Sequence, residues 1–179
     1  MILLSAGHHP AAKGAGYNDH YEYDEALLWA SEIANLIRGR MMVDIVPTGR
    51  LPEKIEWINN QAGVSLLCEI HFNSDESKRQ HGSETLYCPG SAKGKIAADI
   101  VQRSLAGIFP PSRGAKEGYY QMDKSKGPDA ILAKTSCVAL IVEAEFIYNY
   151  SVIQERRHPA CAAIADALIE ATNKLSEGE

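Results

Sequence analysis

Two histidines and three carboxylates hold most of the chemistry this sequence offers, and they stand where apolar runs end or helices begin. Met1-Ile2-Leu3-Leu4-Ser5-Ala6-Gly7-His8 runs from apolar residues into a histidine. Leu67-Cys68-Glu69-Ile70-His71-Phe72-Asn73 does the same and adds an asparagine. Val138 to Phe146 is a third apolar run, interrupted by Glu143 and Glu145. A catalytic zinc site takes about three nitrogen or oxygen ligands and keeps one position for water. His8 and His71 are natural nitrogen donors, and Glu22, at the start of a helix behind a glycine-rich loop, completes such a set. Singly each is weak evidence, because a histidine at a strand end is more often a hydrogen-bonded structural group. No HExxH motif fixes two ligands on one helix. Jointly they point to one site, since open α/β sheets carry their sites at the carboxyl ends of strands.

The elements that must position these residues follow from periodicity. A strand opens the chain, and Pro10 to Asn18 is a loop. Ala26, Ala30, Ile33 and Ile37 repeat at helical spacing over a helix from Tyr21 to Arg38, with Asp24 and Glu25 in its first turn and Gly39 as its C-cap. Met41 to Val46 reads as a strand, and Pro52 opens a helix that ends near Gly63. Val64 to His71 is the next strand, Ser74 to Gln80 a polar loop and Ser83 to Cys88 a further strand. Ser91 caps a helix with Ile96, Ile100, Leu105 and Ile108 expected inward. Pro110 to Ser136 reads as irregular, apart from a short helix at Asp129 to Lys134. After the last strand a helix is expected to start near Pro159, with Ile164, Leu168, Ala171 and Leu175 on one face. Apolar strands alternating with amphipathic helices predict an α/β fold: three layers, about six strands in a mostly parallel, mixed sheet, with helices on both faces.

Bulk properties narrow the function classes. A chain of 179 residues fits one domain, here expected to be a single catalytic domain over residues 1–179 with no separate binding domain. A net charge of −5 gives no basic footprint for nucleic acid or for an anionic surface. No apolar run approaches the ~18 residues of a membrane span. The N-terminus lacks the charged start of a signal peptide, so the chain is expected to be cytoplasmic as synthesised and to meet its substrate after release. Cys68, Cys88, Cys137 and Cys161 form no CxxC pair and read as small buried apolar residues rather than a disulfide framework.

The joint pattern resembles the zinc-dependent N-acetylmuramoyl-L-alanine amidases of cell division, sporulation and phage lysis. Ala6-Gly7-His8 matches the Gly-His end of their first strand, and Glu22-Tyr23-Asp24-Glu25-Ala26-Leu27 their Glu-x-Asp-x-x-Leu helix start. Ile70-His71-Phe72-Asn73 matches Ile-His-x-Asn, Gly82-Ser83-Glu84-Thr85 matches Gly-x-Glu-Thr, and Arg113-Gly114-Ala115-Lys116 matches Arg-Gly-x-Lys. Leu140 to Ile147 follows the last strand of the family, with Ile141 as an extra apolar residue. The matches come in family order and span nearly the whole chain. The resemblance implies zinc bound by His8, Glu22 and His71, with Glu143 as the catalytic carboxylate. The bond cut would join the lactyl group of N-acetylmuramic acid to L-alanine in peptidoglycan. Tyr119, Tyr120 and Lys116 are candidates for the groove, or else ordinary loop surface.

Two carboxylates depart from that pattern. Glu69 and Glu145 stand where small residues are common, and residues i and i+2 share a strand face, so both are expected to point toward the metal. Glu69 would then orient a ligand from behind. His9, His20 and His81 read as flanking loop residues. The alternatives are a zinc peptidase of similar fold cutting within the stem peptide, and an inactive wall-binding module, against which the complete residue set argues. A Cys68–His71 hydrolase is remote, because residues three apart on a strand face opposite sides. Some family members insert a plugging helix before the Gly-x-Glu-Thr strand. Only Ser74 to His81 stands there, too short and too polar for one, so no activator protein is expected.

Overall fold

The computed structural model describes residues 1–177. The elements, in chain order, are β1 (Ile2–Ala6), β2 (Gly16–Tyr17), β3 (His20–Tyr21), α1 (Glu22–Ile37), β4 (Val43–Ile45), α2 (Leu51–Asn59), β5 (Leu66–Asn73), β6 (Glu84–Tyr87), α3 (Ala92–Ala106), β7 (Gly114–Glu117), α4 (Ala130–Ala133), β8 (Val138–Phe146) and α5 (Tyr150–Ser176). Six strands form one mixed sheet in the order β4-β1-β5-β8-β6-β7. Within this sheet the β6–β8 pairing is antiparallel and the other four are parallel, while β2 and β3 form a separate antiparallel hairpin. The fold is the three-layer α/β arrangement that the sequence predicts.

Strand alternation divides the interior in two. Ile2, Leu4, Leu66, Cys68, Ile70, Leu140 and Val142 face the larger core, where α1, α3 and α5 pack. Leu3, Leu67 and Ile141 face the smaller one, which Ile58 of α2 and Ile131 and Leu132 of α4 cover. Period-2 alternation then carries Glu69, His71 and Asn73 of β5 to the thinly covered face, beyond Leu67. Helices α2 and α4 cover the early part of that face and leave the strand ends open.

Several boundaries differ from the sequence reading. β7 lies inside the stretch read as irregular. It is an edge strand paired only with β6, so Gly114-Ala115-Lys116-Glu117 needs no two-sided apolar pattern. Helix α5 begins at Tyr150 rather than near Pro159, which stands exposed inside it. The carbonyl that Pro159 leaves without an N–H partner belongs to Glu155, an exposed residue on the solvent side of the helix. Ile153 packs in the core, and Tyr150 and Gln154 donate to Glu25 of α1, which holds this first part of the helix in place. Ile96, expected inward, is 45% exposed, because the packed stripe of α3 runs through Ala97, Ala98, Val101 and Leu105 instead. Ser91 caps α3 and Gly39, at φ +85, follows α1, as the sequence indicates.

Candidate metal centre

Three elements bring His8, Glu22 and His71 together, and their ligand atoms all lie within 4.8 Å of one another. His8 follows β1 with φ +62, a left-handed conformation that costs about 1–3 kcal/mol in a non-glycine residue and is characteristic of functional positions. Glu22 is the first residue of α1. The β2–β3 hairpin delivers it there through Asn18 and Asp19, both at positive φ. His71 lies near the end of β5.

Glu22 is the hub. Its Oε2 lies 3.0 Å from His8 Nε2 and accepts the Ala15 N–H at 3.1 Å. Its Oε1 lies 2.7 Å from His71 Nδ1 and accepts the Phe72 N–H at 3.3 Å. Burial raises the pKa of Glu22, but its contacts with His71 and His8 outweigh that and hold it down at about 2. Two glycines press against this cluster. A Cβ on Gly7 would stand 2.4 Å from the His71 ring, and one on Gly14, at φ +76, would stand 2.5 Å from the His8 ring and 2.6 Å from Glu22. Two imidazoles and an ionised carboxylate in this compass form a donor set suited to zinc. The residues present fit such an ion.

Glu143 is the register partner of His71 across β5 and β8 and lines the same cleft. Its Oε2 is buried without a hydrogen-bond partner among the described residues. Burial, which the His71 charge only partly offsets, pushes its pKa up to about 8. Opposite it on β6 stands Glu84, tied to Lys116 Nζ, to Asn73 Nδ2 at 2.7 Å and to Arg113 at 3.3 Å. Burial raises Glu84 as well, yet the Lys116 and Asn73 hydrogen bonds hold it below the usual carboxylate range.

The two extra carboxylates part company. Glu69 points to the site, where its Oε1 meets His71 Nε2 at 3.1 Å. Glu145 does not. The β5–β8 register pairs His71 with Glu143 but Asn73 with Phe146, so β8 carries one extra residue and its alternation breaks. The Glu145 carboxylate instead accepts from Gly82 N, Phe146 N and Asn149 Nδ2, which ties the end of β8 to the loop before β6.

The cluster opens on a cleft of about 510 Å³ whose walls include His9, Leu51, Tyr119, Tyr120, Met122 and Asp129. Tyr119 and Tyr120 thus take groove positions, whereas Lys116 is occupied by Glu84 and lines no part of it. His9 sits on the wall rather than in the ligand set, His20 stacks on Tyr150 at 3.5 Å, and His81 pairs with Asn149. None of Ser74 to His81 lines the cleft or forms a helix. Tyr148 and Asn149 hold that loop through Asp75, Gln80 and His81. The sequence reading missed Lys54, Ser5 and Gly14. Lys54 was visible in principle, because it precedes Ile58 by four residues on the inward stripe of α2.

The N-acetylmuramoyl-L-alanine amidase family matches residues 2–174, and the chain belongs to that family. The fold is shared with solved amidases. The catalytic domain of CwlV from Bacillus (Paenibacillus) polymyxa var. colistinus is 18% identical with a TM-score of 0.81, over 94% of this chain and 96% of that one. The catalytic domain of the CD27L endolysin, which targets Clostridia difficile, is 23% identical with a TM-score of 0.76, over 94% and 96%. The CwlD amidase of Clostridioides difficile, solved in complex with the GerS lipoprotein, is 19% identical with a TM-score of 0.78, over 99% and 98%. No curated protein sequence matches the chain.

Proposed function

We propose that this chain is a zinc-dependent amidase that hydrolyses the bond between the lactyl group of N-acetylmuramic acid and L-alanine in peptidoglycan. The observation that carries the reading is the convergence of His8, Glu22 and His71 beside Glu143 on one open cleft, in a chain of the amidase family. His8, Glu22 and His71 would hold the ion. Bound there, zinc supplies Lewis-acid polarisation of the scissile carbonyl and an acidified water.

The remaining chemistry belongs to the chain. Glu143 is short of hydrogen bonds and desolvated, so its pKa lies far above that of Glu22. A carboxylate in that environment takes a proton from the attacking water and returns it to the departing L-alanine amine. Glu22 stays ionised as a ligand. The separated pKa values of these two neighbouring carboxylates support that division of roles. Glu84, neutralised by Lys116 and Arg113, fixes Asn73 beside the reacting carboxylate. Tyr119 and Tyr120 line the wall of the cleft, where they would meet the glycan or stem peptide.

The uncovered cleft supports activity without an activator protein. Mass spectrometry of products from purified peptidoglycan tests the reading. Release of intact stem peptides beginning with L-alanine is the expected outcome. Cleavage inside the stem would instead make the chain a zinc peptidase of the same fold, and binding without any product would make it an inactive wall-binding module.

A further inference from the structure

His71 is gripped from both sides. Its Nδ1 faces Glu22 at 2.7 Å, and its Nε2 faces Glu69 at 3.1 Å. Glu69 is itself held: Oε2 accepts the Ser5 hydroxyl at 2.7 Å and Lys54 Nζ at 3.3 Å. Lys54 also donates to the Ala6 carbonyl, in the residue before Gly7. Ser5, Lys54 and Glu69 are all buried, with relative exposures of 0%, 4% and 4%. Three elements, β1, α2 and β5, thus place a fixed carboxylate behind one imidazole.

We propose that the Lys54–Glu69 pair positions His71 for the metal. In a metal-loaded site Nδ1 would give its lone pair to the ion and Nε2 would keep the proton of the ring, and Glu69, placed to accept at Nε2, holds the ring in that tautomer and orientation. Lys54 and Ser5 fix where Glu69 can accept, and therefore how far the ring can turn. Gly7 completes the mould, because the ring rests where a Cβ would be. Lys54 has a second use. It offsets the charge of Glu69, with which it pairs at 3.3 Å, while Lys116 and Arg113 do the same for Glu84. A metal-ligating histidine commonly gives its other ring N–H to a carboxylate, and losing that partner typically costs about 10–100-fold in metal affinity.

This inference rests on His8, Glu22 and His71 as the metal ligands, so its test begins with zinc binding by the wild-type chain. Zinc affinity is measured by competition with a chromogenic chelator, and the His71 tautomer by long-range ¹H–¹⁵N correlation on the zinc-loaded protein. Two variants are compared. Glu69→Gln keeps an acceptor, whereas Glu69→Leu with Lys54→Met removes acceptor and counter-charge together, a replacement that is often neutral for folding. Expected are a loss of about 10–100-fold for the apolar pair with the Nε2–H signal lost to exchange with solvent, and only a several-fold loss for Glu69→Gln with Nε2–H retained. Should the apolar pair fail to fold, Glu69→Ala is read in its place with the same expectation. Wild-type affinity in a folded variant lacking the acceptor overturns the inference alone, as does a Glu69→Gln loss equal to that of the acceptor-less variant. No zinc binding by the wild-type chain overturns the metal reading and this inference with it.

Discussion

Replacing Glu143 with glutamine should make the metal-free protein more stable while removing its activity, and the size of the gain follows from where the carboxyl sits. Its pKa of about 8 stands above the ordinary 4.5 because burial disfavours the ionised form. A carboxyl raised in the folded state contributes its full stability below 4.5 and loses it as pH climbs toward 8. Over the interval from 4.5 to 7, at ~1.4 kcal/mol per pH unit, the accumulated cost reaches roughly 3 kcal/mol as an upper limit. Glutamine imitates the neutral form at every pH, so the variant carries no such slope. The gap between the two proteins should be under about 1 kcal/mol at pH 5 and grow toward 3 kcal/mol at pH 7. For a chain of this size that is about 6–12 °C in Tm. Melting curves in chelator at pH 5, 7 and 8 measure it. Comparing the two proteins at each pH cancels the titration of the other groups to first order. Zinc should narrow the gap, because a nearby cation favours the ionised carboxylate. A gap that is flat or shrinking with pH would refute the assignment of Glu143 as a desolvated carboxyl. On peptidoglycan the same variant should lose about 10²–10⁴-fold in turnover while retaining zinc.

Further outcomes are expected. Purified protein should hold about one zinc per chain, and chelation should abolish wall lysis until zinc is restored; full activity in verified metal-free protein would sink the mechanism. Glu145→Gln should cost far less turnover than Glu143→Gln, because its carboxylate serves Gly82, Phe146 and Asn149 rather than the cleft; kinetics in the opposite order would reverse the roles. Gly82→Ala should destabilise by about 2–4 kcal/mol, read from denaturant midpoints, since φ is +100 and a Cβ would meet the Pro111 carbonyl at 1.9 Å. Thiol titration should find four free cysteines after unfolding, with the half-buried Cys88 and Cys137 reacting first in the native state and Cys68 and Cys161 shielded.

How much of this was legible in one dimension depends on the kind of physics involved. Apolar runs ending in His8 and His71 announce strands that hand chemistry to a sheet end, and helical spacing over Ala26 to Ile37 places Glu22 at a helix start. Such patterns are local, and burial of one face enforces them. The family motifs then rank the residues. What the sequence left open are relations between segments. Glu143 and Glu145 look equivalent two apart on a strand, and only the extra residue of β8 opposite Phe72 turns Glu145 away. β7 has no apolar signature, because an edge strand needs pairing on one side only. Ile96 and Pro159 were misjudged for a similar reason: which stripe of a helix is buried depends on the neighbour it meets. The Lys54–Glu69–His71 chain spans α2 and β5, and its link to Ser5 spans 64 residues of sequence. No periodicity encodes that distance. Local pattern determines which residues are offered to the site, whereas their partners, and with them charge, orientation and proton position, are set by tertiary packing.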